Sequence, residues 1–324
     1  MPDNPHKEIY GCDEALAFIK ENRALSNSID FLQQLANYGS NLIPRCYVSS
    51  KRDILDTVVI ASLLKHFVSM LDASVVLLRQ GAVLAANLAV RSMFESCVYI
   101  EWILKADSER RARQYFVWHW RKELDWTRVA IPGTRENDRI KPAYKTEIGK
   151  AYFENLKQRQ DSASRKEKDL LDILDSADFK EVNDEFERLR AGKKGKRSNF
   201  DSQWYSLFGG PSNFRELCVS LSLEGEYDIF YSHASGVMHA MTQMEMITHQ
   251  GTEILFEPIR SLGEFGDVAR YCASLAIKTF PLVLRQYRMG EARDNFPIKY
   301  RNEWRKPFFA IPKVVSGKDN VRII

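Results

Sequence analysis

The residues best suited to chemistry lie in two segments that are far apart along the chain. In the first segment, Arg91 and Glu95 stand four positions apart within the mostly apolar run 82–105. In a helix this spacing places both side chains on one face, where they can form an ion pair. Because a buried charge is costly unless it is paired and hydrogen-bonded, we expect either a structural ion pair or a polar site inside the core.

A second candidate is a stripe of hydroxyl and imidazole groups on a predicted helix over 227–248. An imidazole has an unperturbed pKa of about 6.5, so a histidine in the stripe suits general acid–base catalysis. The alternative is that the stripe forms the half-polar border of a core helix. Its members recur every four residues and so share one helical face: Tyr227, Tyr231, Ser235 and His239.

A third pattern places an arginine and a histidine on one predicted aromatic helix over 109–129. Arg113 and His119 are six positions apart. In RNA cleavage an imidazole can move a proton from a 2′-hydroxyl while a guanidinium stabilises the phosphate charge. The alternative is an exposed arginine and an interfacial histidine with no shared role.

The run 192–197 (GKKGKR) is predicted to be a basic loop, because it has no apolar side chain to bury. Such a run can attract the phosphates of a nucleic acid. The alternative is a solvated loop without a ligand. The candidate nucleic-acid-binding residues are Lys193, Lys194, Lys196 and Arg197.

The motifs of most familiar enzyme classes are absent from the sequence. It has no glycine-rich dinucleotide loop, no GxxxxGK[ST] phosphate loop, no HExxH, no GxSxG and no paired-cysteine zinc spacing. The nearest match to a di-iron helical motif, Glu245 with His249, has the wrong spacing and no companions. We therefore expect no cofactor and no metal site.

Composition and cysteine usage indicate a globular protein of a reducing compartment. Of the 324 residues, 44% are hydrophobic and 28% are charged, and the formal net charge is +4. The five cysteines are scattered along the chain and include no CxxC pair. Residues 1–20 lack the features of a secretion signal. We therefore expect a cytoplasmic protein.

Two apolar runs, 57–78 and 82–104, approach the length of a membrane span. Charges in the middle of a span are costly in hydrocarbon, so we interpret both runs as buried helices of a soluble bundle rather than as membrane helices. The polar residues that interrupt them are Lys65, His66, Asp72, Arg91 and Glu95.

The hydrophobic periodicity predicts an all-α fold, a multi-helix bundle with long central antiparallel helices and a charge-rich helical insertion. Only 252–257 is predicted to be extended. The predicted helices cover 13–37 (ending before Pro44), 53–79, 82–105, 109–129, 213–223, 227–248 and 266–288. The expected divisions of the chain are an N-terminal bundle segment 1–134, an arm or insertion 135–200, helices completing the bundle at 201–290 and a basic, aromatic tail 291–324.

Two of these motifs resemble those of DUF5677, a family of bacterial proteins of unknown function. They are the segment RSMFE at 91–95, followed by YIEWIL, and the spaced tyrosine, serine and histidine stripe that ends at His239. The resemblance covers roughly 53–126 and 204–248. Members of the family look like distant relatives of HEPN helical bundles, which include RNA-cleaving toxins and antiviral effectors. This kinship implies that Arg91, Glu95, Ser235 and His239 converge within the bundle.

Our leading hypothesis is therefore a defence or toxin-type effector with a HEPN-like core that cleaves RNA without a metal ion. His239 would transfer the proton, Arg91 would bind phosphate and Glu95 would orient Arg91, while Ser235 and Tyr231 would support them by hydrogen bonds. The alternatives are a non-catalytic interaction protein with a structural polar network, and a small-molecule sensor. HEPN-like bundles commonly pair through their helices, so we expect a homodimer, with 109–129 as a candidate face.

Overall fold

Helices account for most of the regular structure in the computed structural model of the chain. The residues that it describes are 9, 11–50, 54–192, 201–238, 247–250, 253–316 and 321–323. Within these residues the predicted all-α, multi-helix architecture is confirmed, and the strands are two short antiparallel pairs.

Fifteen α-helices and four strands lie in the described residues, with short 3₁₀ and π segments between some of them. The helices are α1 (Cys12–Glu21), α2 (Arg23–Ser49), α3 (Ile54–Arg79), α4 (Val83–Lys105), α5 (Ser108–Arg128), α6 (Arg135–Ile140), α7 (Glu147–Gln158), α8 (Gln160–Leu174), α9 (Lys180–Ala191), α10 (Phe214–Ser220), α11 (Glu224–Glu226), α12 (His233–Met238), α13 (Phe265–Tyr287), α14 (Phe296–Lys299) and α15 (Arg305–Phe309). The strands are β1 (Ile247–Gln250), β2 (Glu253–Phe256), β3 (Val314–Ser316) and β4 (Val321–Ile323).

The chain divides into two units. The first unit contains Met1–Ala106 and Cys218–Ile324, and the second contains Asp107–Leu217. The predicted arm 135–200 lies entirely within the second unit, which also includes α5 and the segment 201–217.

The core of the first unit is a bundle of α2, α3, α4 and α13. The hairpin between α3 and α4 turns at Gly81, whose φ of +67° is a conformation that glycine adopts without strain. Phe67 of α3, Phe94 of α4 and Phe280 of α13 are fully buried. Helices α3 and α4 are apolar on most faces because neighbouring helices cover them on several sides.

The length and composition of α3 and α4 alone would allow them to cross a membrane. The apolar stretches within Leu55–Arg79 and Val83–Lys105 are 50% and 61% buried inside the protein. Core helices of soluble proteins share these properties, so the finding is weak evidence for a membrane protein.

Two helix boundaries differ from the prediction near the N-terminus. The predicted helix 13–37 is divided at Asn22, whose side-chain Nδ2 donates a hydrogen bond to the carbonyl oxygen of Phe18 at 2.7 Å. The second part, α2, continues through Pro44 to Ser49 instead of ending before the proline. Burial of Leu42 and Cys46 against the core favours the continuation.

The predicted helix 227–248 was wrong at its last two residues, 247 and 248, which lie in a strand. Tyr227–Ser232 forms a π-helical segment, α12 follows it, and residues 239–246 lie outside the described part. Ile247 and Thr248 are in β1, which pairs with β2 in antiparallel register. Ile247 and Thr248 of β1 are β-branched, and β2 ends in the aromatic residue Phe256. Both residue types favour strands, so the local preference for a strand opposes the helical spacing of this segment.

The second unit is organised around α5, which packs against α6, α8 and α9. Arg121 of α5 lies beneath the surface, with only 7% of its side chain exposed. Its Nε and Nη2 donate to the two carboxylate oxygens of Asp201 at 2.8 and 2.9 Å. Nη1 donates to Asn183 at 2.6 Å and Nη2 also donates to Glu187 at 2.7 Å. This network joins α5 to α9 and to the segment that follows the basic run.

The predicted basic, aromatic tail packs onto the first unit as short helices. Trp304 is almost fully buried, and its ring meets Tyr38 of α2 edge-on, with centroids 5.0 Å apart. The carboxylate of Glu291 accepts hydrogen bonds from Arg45 of α2 at 2.5 Å and from Arg288 at 2.6 Å. Burial acts to raise the pKa of Glu291, but the hydrogen bonds from Arg288 and Arg45 outweigh it and hold this pKa below its usual value.

We expect Glu291→Gln to lower the free energy of unfolding by about 2 kcal/mol at pH 7, because it removes charge-assisted hydrogen bonds from a mostly buried group. A carboxyl with a lowered folded pKa stabilises the protein above its unfolded pKa of about 4.3, and this contribution disappears as the pH falls through the folded value. The difference between the two proteins should therefore vanish in acid. Urea unfolding at several pH values measures it.

Glu303→Gln is the matched control, because Glu303 is exposed and its ion pair within the described residues is with Lys299, one turn away. Such a pair contributes about 0.3–0.5 kcal/mol. Equal losses in the free energy of unfolding for the two variants at pH 7 would contradict the stabilising role of Glu291. A loss for Glu291→Gln that persists unchanged into acid would contradict it as well.

Candidate functional site

The candidate site is built around Arg91, which projects from α4 towards the segment 227–238. Its Nε donates to Glu95 Oε1 at 3.3 Å, as the spacing predicted. Its Nη2 donates to the hydroxyl oxygen of Tyr231 at 2.7 Å, and the guanidinium carbon lies 4.2 Å from the centroid of the Tyr231 ring. Two polar motifs that are 140 residues apart in sequence therefore meet in the first unit.

This site lies at the edge of the core rather than inside it. The side chains of Arg91 and Glu95 are 12% and 32% exposed, so their charges are partly buried rather than enclosed in the core as expected. The physical reason is that segment 227–238 covers this face of α4 only in part. Burial nevertheless raises the pKa of Glu95, while the charges of Arg91 and His66 act to lower it.

Tyr231 is presented by a turn of π-helix. The rings of Tyr227 and Tyr231 stack with centroids 5.1 Å apart and planes 22° from parallel. Burial raises the pKa of Tyr231, so the phenol keeps its proton at neutral pH while its oxygen accepts from Arg91. Single π-helical turns inside helices occur frequently at functional sites.

Of the other members of the predicted stripe, only some lie within the described residues. Nη1 of Arg91 contacts Met238 Sδ at 3.2 Å, and this residue directly precedes His239, which lies outside the described residues. Ser235 is half-buried, and it is not among the hydrogen-bond partners of Arg91 within the described part of the chain. A π-helical turn contains more residues than an α-helical turn, so it shifts the face on which later residues project.

One residue pair at the site was missed by sequence reasoning. His66 of α3 is exposed, and its Nε2 lies 2.8 Å from Oγ of Ser92, the residue after Arg91. His66 also lies close enough to Glu95 to influence its pKa by charge. Their contact follows from the packing of α3 against α4, whose register the sequence does not specify.

The other sequence candidates belong to the second unit of the chain. Arg113 pairs with Glu109 one turn away on α5, and the exposed ring of His119 lies 3.8 Å from Glu123. Each of the two is thus engaged with a different carboxylate on the same helix. The candidates of the basic run, Lys193, Lys194, Lys196 and Arg197, lie outside the described residues.

A metal site would need several histidine, cysteine or carboxylate side chains close together in the described part of the chain. In those residues, no group of three or more histidine, cysteine, aspartate or glutamate side chains is arranged to hold a metal ion. The cluster around Arg91 instead combines a guanidinium, a carboxylate, a phenol and an imidazole–hydroxyl pair. Such a set can bind an oxyanion and move protons.

Comparison with known proteins gives one match. Residues 57–252 match the family model DUF5677, which is described as a family of unknown function. The match includes the hairpin of α3 and α4, the segment 227–238 and also the charge-rich middle, which the sequence motifs had left outside. No curated protein and no solved structure matches the chain.

Proposed function

Because the chain belongs to the DUF5677 family, whose function is unknown, we propose its function from the geometry around Arg91: cleavage of RNA without a metal ion, in a defence or toxin-type effector with a HEPN-like core. The observation that carries the proposal is the convergence of Arg91, Glu95 and Tyr231, with the His66–Ser92 pair on the adjoining turn.

Arg91 is suited to bind a phosphate. Among the described residues, Arg91 donates to Glu95, Tyr231 and Met238, which use fewer than its five N–H groups, so donors remain there for the equatorial oxygens of a phosphate. Glu95 and Tyr231 hold its plane in one orientation. Preorganised donors of this kind stabilise the charge that develops in a transition state.

Proton transfer in the proposed reaction is assigned to histidine. One imidazole takes the proton from the 2′-hydroxyl as the 2′-oxygen attacks the adjacent phosphorus. The bond between phosphorus and the 5′-oxygen of the next nucleotide then breaks, and that 5′-oxygen receives a proton. The products are a 2′,3′-cyclic phosphate and a 5′-hydroxyl. His239, next to Met238, and His66 are the two candidates, with Ser235 and Tyr231 as hydrogen-bonding supports.

We expect His66→Ala or His239→Ala to lower the rate of RNA cleavage about 10²–10⁴-fold, the usual contribution of a positioned acid or base. The measurement is single-turnover cleavage of a labelled single-stranded RNA in EDTA. His66 is exposed, so its variant should keep the melting temperature of the parent protein. Cleavage at the parental rate in both folded variants would remove histidine from the mechanism.

A second candidate function is a non-catalytic interaction protein. The contacts of Arg91 with three side chains favour it, because these contacts would fasten segment 227–238 onto the bundle. Under this alternative, Arg91→Ala changes stability while His66→Ala changes nothing measurable. RNA cleavage by the parent protein therefore separates the two functions, because a non-catalytic protein leaves the RNA intact.

The setting that fits the proposal is the cytoplasm, with the protein acting as a homodimer. All five cysteines are free, and burial raises the pKa of Cys97 to about 11 and that of Cys218 to about 12, so these thiols are unreactive. A monomeric mass by light scattering would contradict the dimer.

A further inference from the structure

The second unit contains an open groove that the proposed active site does not use. It encloses about 700 Å³, within the size range of ligand-binding sites, which is about 300–1,000 Å³. The groove is formed by α5 on one side and by α7 and α8 on the other, and Thr127, Ala130 and Ala163 form its buried floor.

One wall of the groove is a continuous face of α5. His119, Lys122, Glu123 and Trp126 recur there at helical spacing. Trp126 is 70% exposed, although an indole is among the most costly side chains to leave in water. Tyr152 of α7 lies on the opposite wall and is 49% exposed. The groove thus offers aromatic surface on both sides.

The charge of the groove is positive. Lys122, Arg159 and Lys166 line it together with a single carboxylate, that of Glu123. Lys166 Nζ lies 2.6 Å from Glu123 Oε1, so this carboxylate is already neutralised. Neither Lys122 nor Arg159 forms an ion pair with any residue that the structure describes. Their charges are available to an anionic ligand.

We propose that this groove binds single-stranded RNA, with one base stacked on Trp126 and the flanking phosphates held by Lys122 and Arg159. Base–indole stacking tolerates any sequence because every base has an aromatic face, and cations that follow the backbone supply the remaining affinity. A double helix keeps its bases inside the stack and cannot use Trp126 in this way.

The inference rests on the proposed function in one respect, the identity of RNA as the substrate class. What is new is the place on the protein where the single strand binds. Binding and cleavage can be measured separately, because a 2′-O-methyl oligonucleotide has no free 2′-hydroxyl to attack the phosphorus.

The test is fluorescence anisotropy of a labelled 2′-O-methyl oligouridine of about 12 nucleotides, a length suited to one such groove, titrated with the full chain. Trp126→Ala is expected to weaken binding about 5–150-fold, the range that loss of one stacked base gives. Trp126→Phe keeps an aromatic face and should stay close to the parent protein. Phe208→Ala, which removes an exposed ring outside the groove in the same unit, should have no effect.

The salt dependence tests the two cations. The double variant Lys122→Ala, Arg159→Ala is expected to reduce the slope of log affinity against log salt by about 1.4, since each phosphate contact to a single strand contributes about 0.7. Lys168→Ala, an exposed cation of α8 outside the groove, is the control and should leave the slope unchanged.

Absence of binding by the parent protein, or equal binding by Trp126→Ala and the parent protein, would overturn the proposal, as would equal affinity for a duplex of the same sequence. If cleavage assays succeed while the groove variants bind normally, only the groove assignment fails. If the groove variants lose binding while no cleavage occurs, the groove stands and the proposed reaction fails.

Discussion

Arg91→Ala is expected to reduce RNA cleavage about 10²–10³-fold, the effect of removing a preorganised donor from a developing oxyanion. The loss should fall on the rate of the chemical step. Arg91→Lys should recover little of it, because an ammonium keeps the charge but cannot form the paired, planar hydrogen bonds with Glu95 and Tyr231. Single-turnover kinetics in EDTA provide the measurement.

Stability must be followed in parallel, because the same arginine contacts segment 227–238. Glu95 is about one-third exposed, so the carboxylate left by Arg91→Ala can be hydrated, and the expected loss is only about 1–2 kcal/mol. Arg79→Ala, at the exposed end of α3, is the control for loss of a positive charge. Cleavage by Arg91→Ala within threefold of the parent rate, about 0.6 kcal/mol in the barrier, would contradict the role of Arg91.

Arg121→Ala is expected to destabilise the second unit by about 3–5 kcal/mol, because it leaves a buried carboxylate without its partner. The side chain of Asp201 is only 6% exposed, and both of its oxygens accept from Arg121. The measurement is denaturant unfolding combined with hydrogen exchange resolved to residues 107–192 and 201–217.

Arg165→Ala gives the matched control for this prediction, since Arg165 is an exposed arginine of α8 in the same unit. A double variant, Arg121→Met with Asp201→Leu, should recover part of the stability, because it removes both charges together. A loss for Arg121→Ala no larger than that for Arg165→Ala would show that the network does not hold the unit together.

The features that the sequence predicted well depend on long, regular patterns. The hairpin of α3 and α4 followed from two apolar runs on either side of Gly81, and the pairing of Arg91 with Glu95 followed from a spacing of one helical turn. The family resemblance implied that the stripe ending at His239 converges with Arg91, and Tyr231 of that stripe does contact Arg91, while His239 lies outside the described residues. Periodicity over many residues averages out local exceptions.

The features that were missed depend on tertiary context. The continuation of α2 past Pro44 and the π-helical segment that presents Tyr231 have no regular sequence signal. The contact of His66 with Ser92 depends on how two helices pair across a turn, which one sequence alone specifies only approximately. The depth of Arg91 was overestimated because an apolar helix gives no indication of which neighbour leaves one of its faces open.

If the Arg91 face promotes attack of a 2′-hydroxyl on the adjacent phosphate, the ends of the cleaved RNA will record it. These ends can be analysed after the full chain has been incubated with a single-stranded RNA in EDTA. We expect a 2′,3′-cyclic phosphate and a 5′-hydroxyl, and no cut 3′ to a nucleotide whose 2′-hydroxyl has been replaced by hydrogen. An uncut RNA, or products bearing a 5′-phosphate and a 3′-hydroxyl, would contradict it.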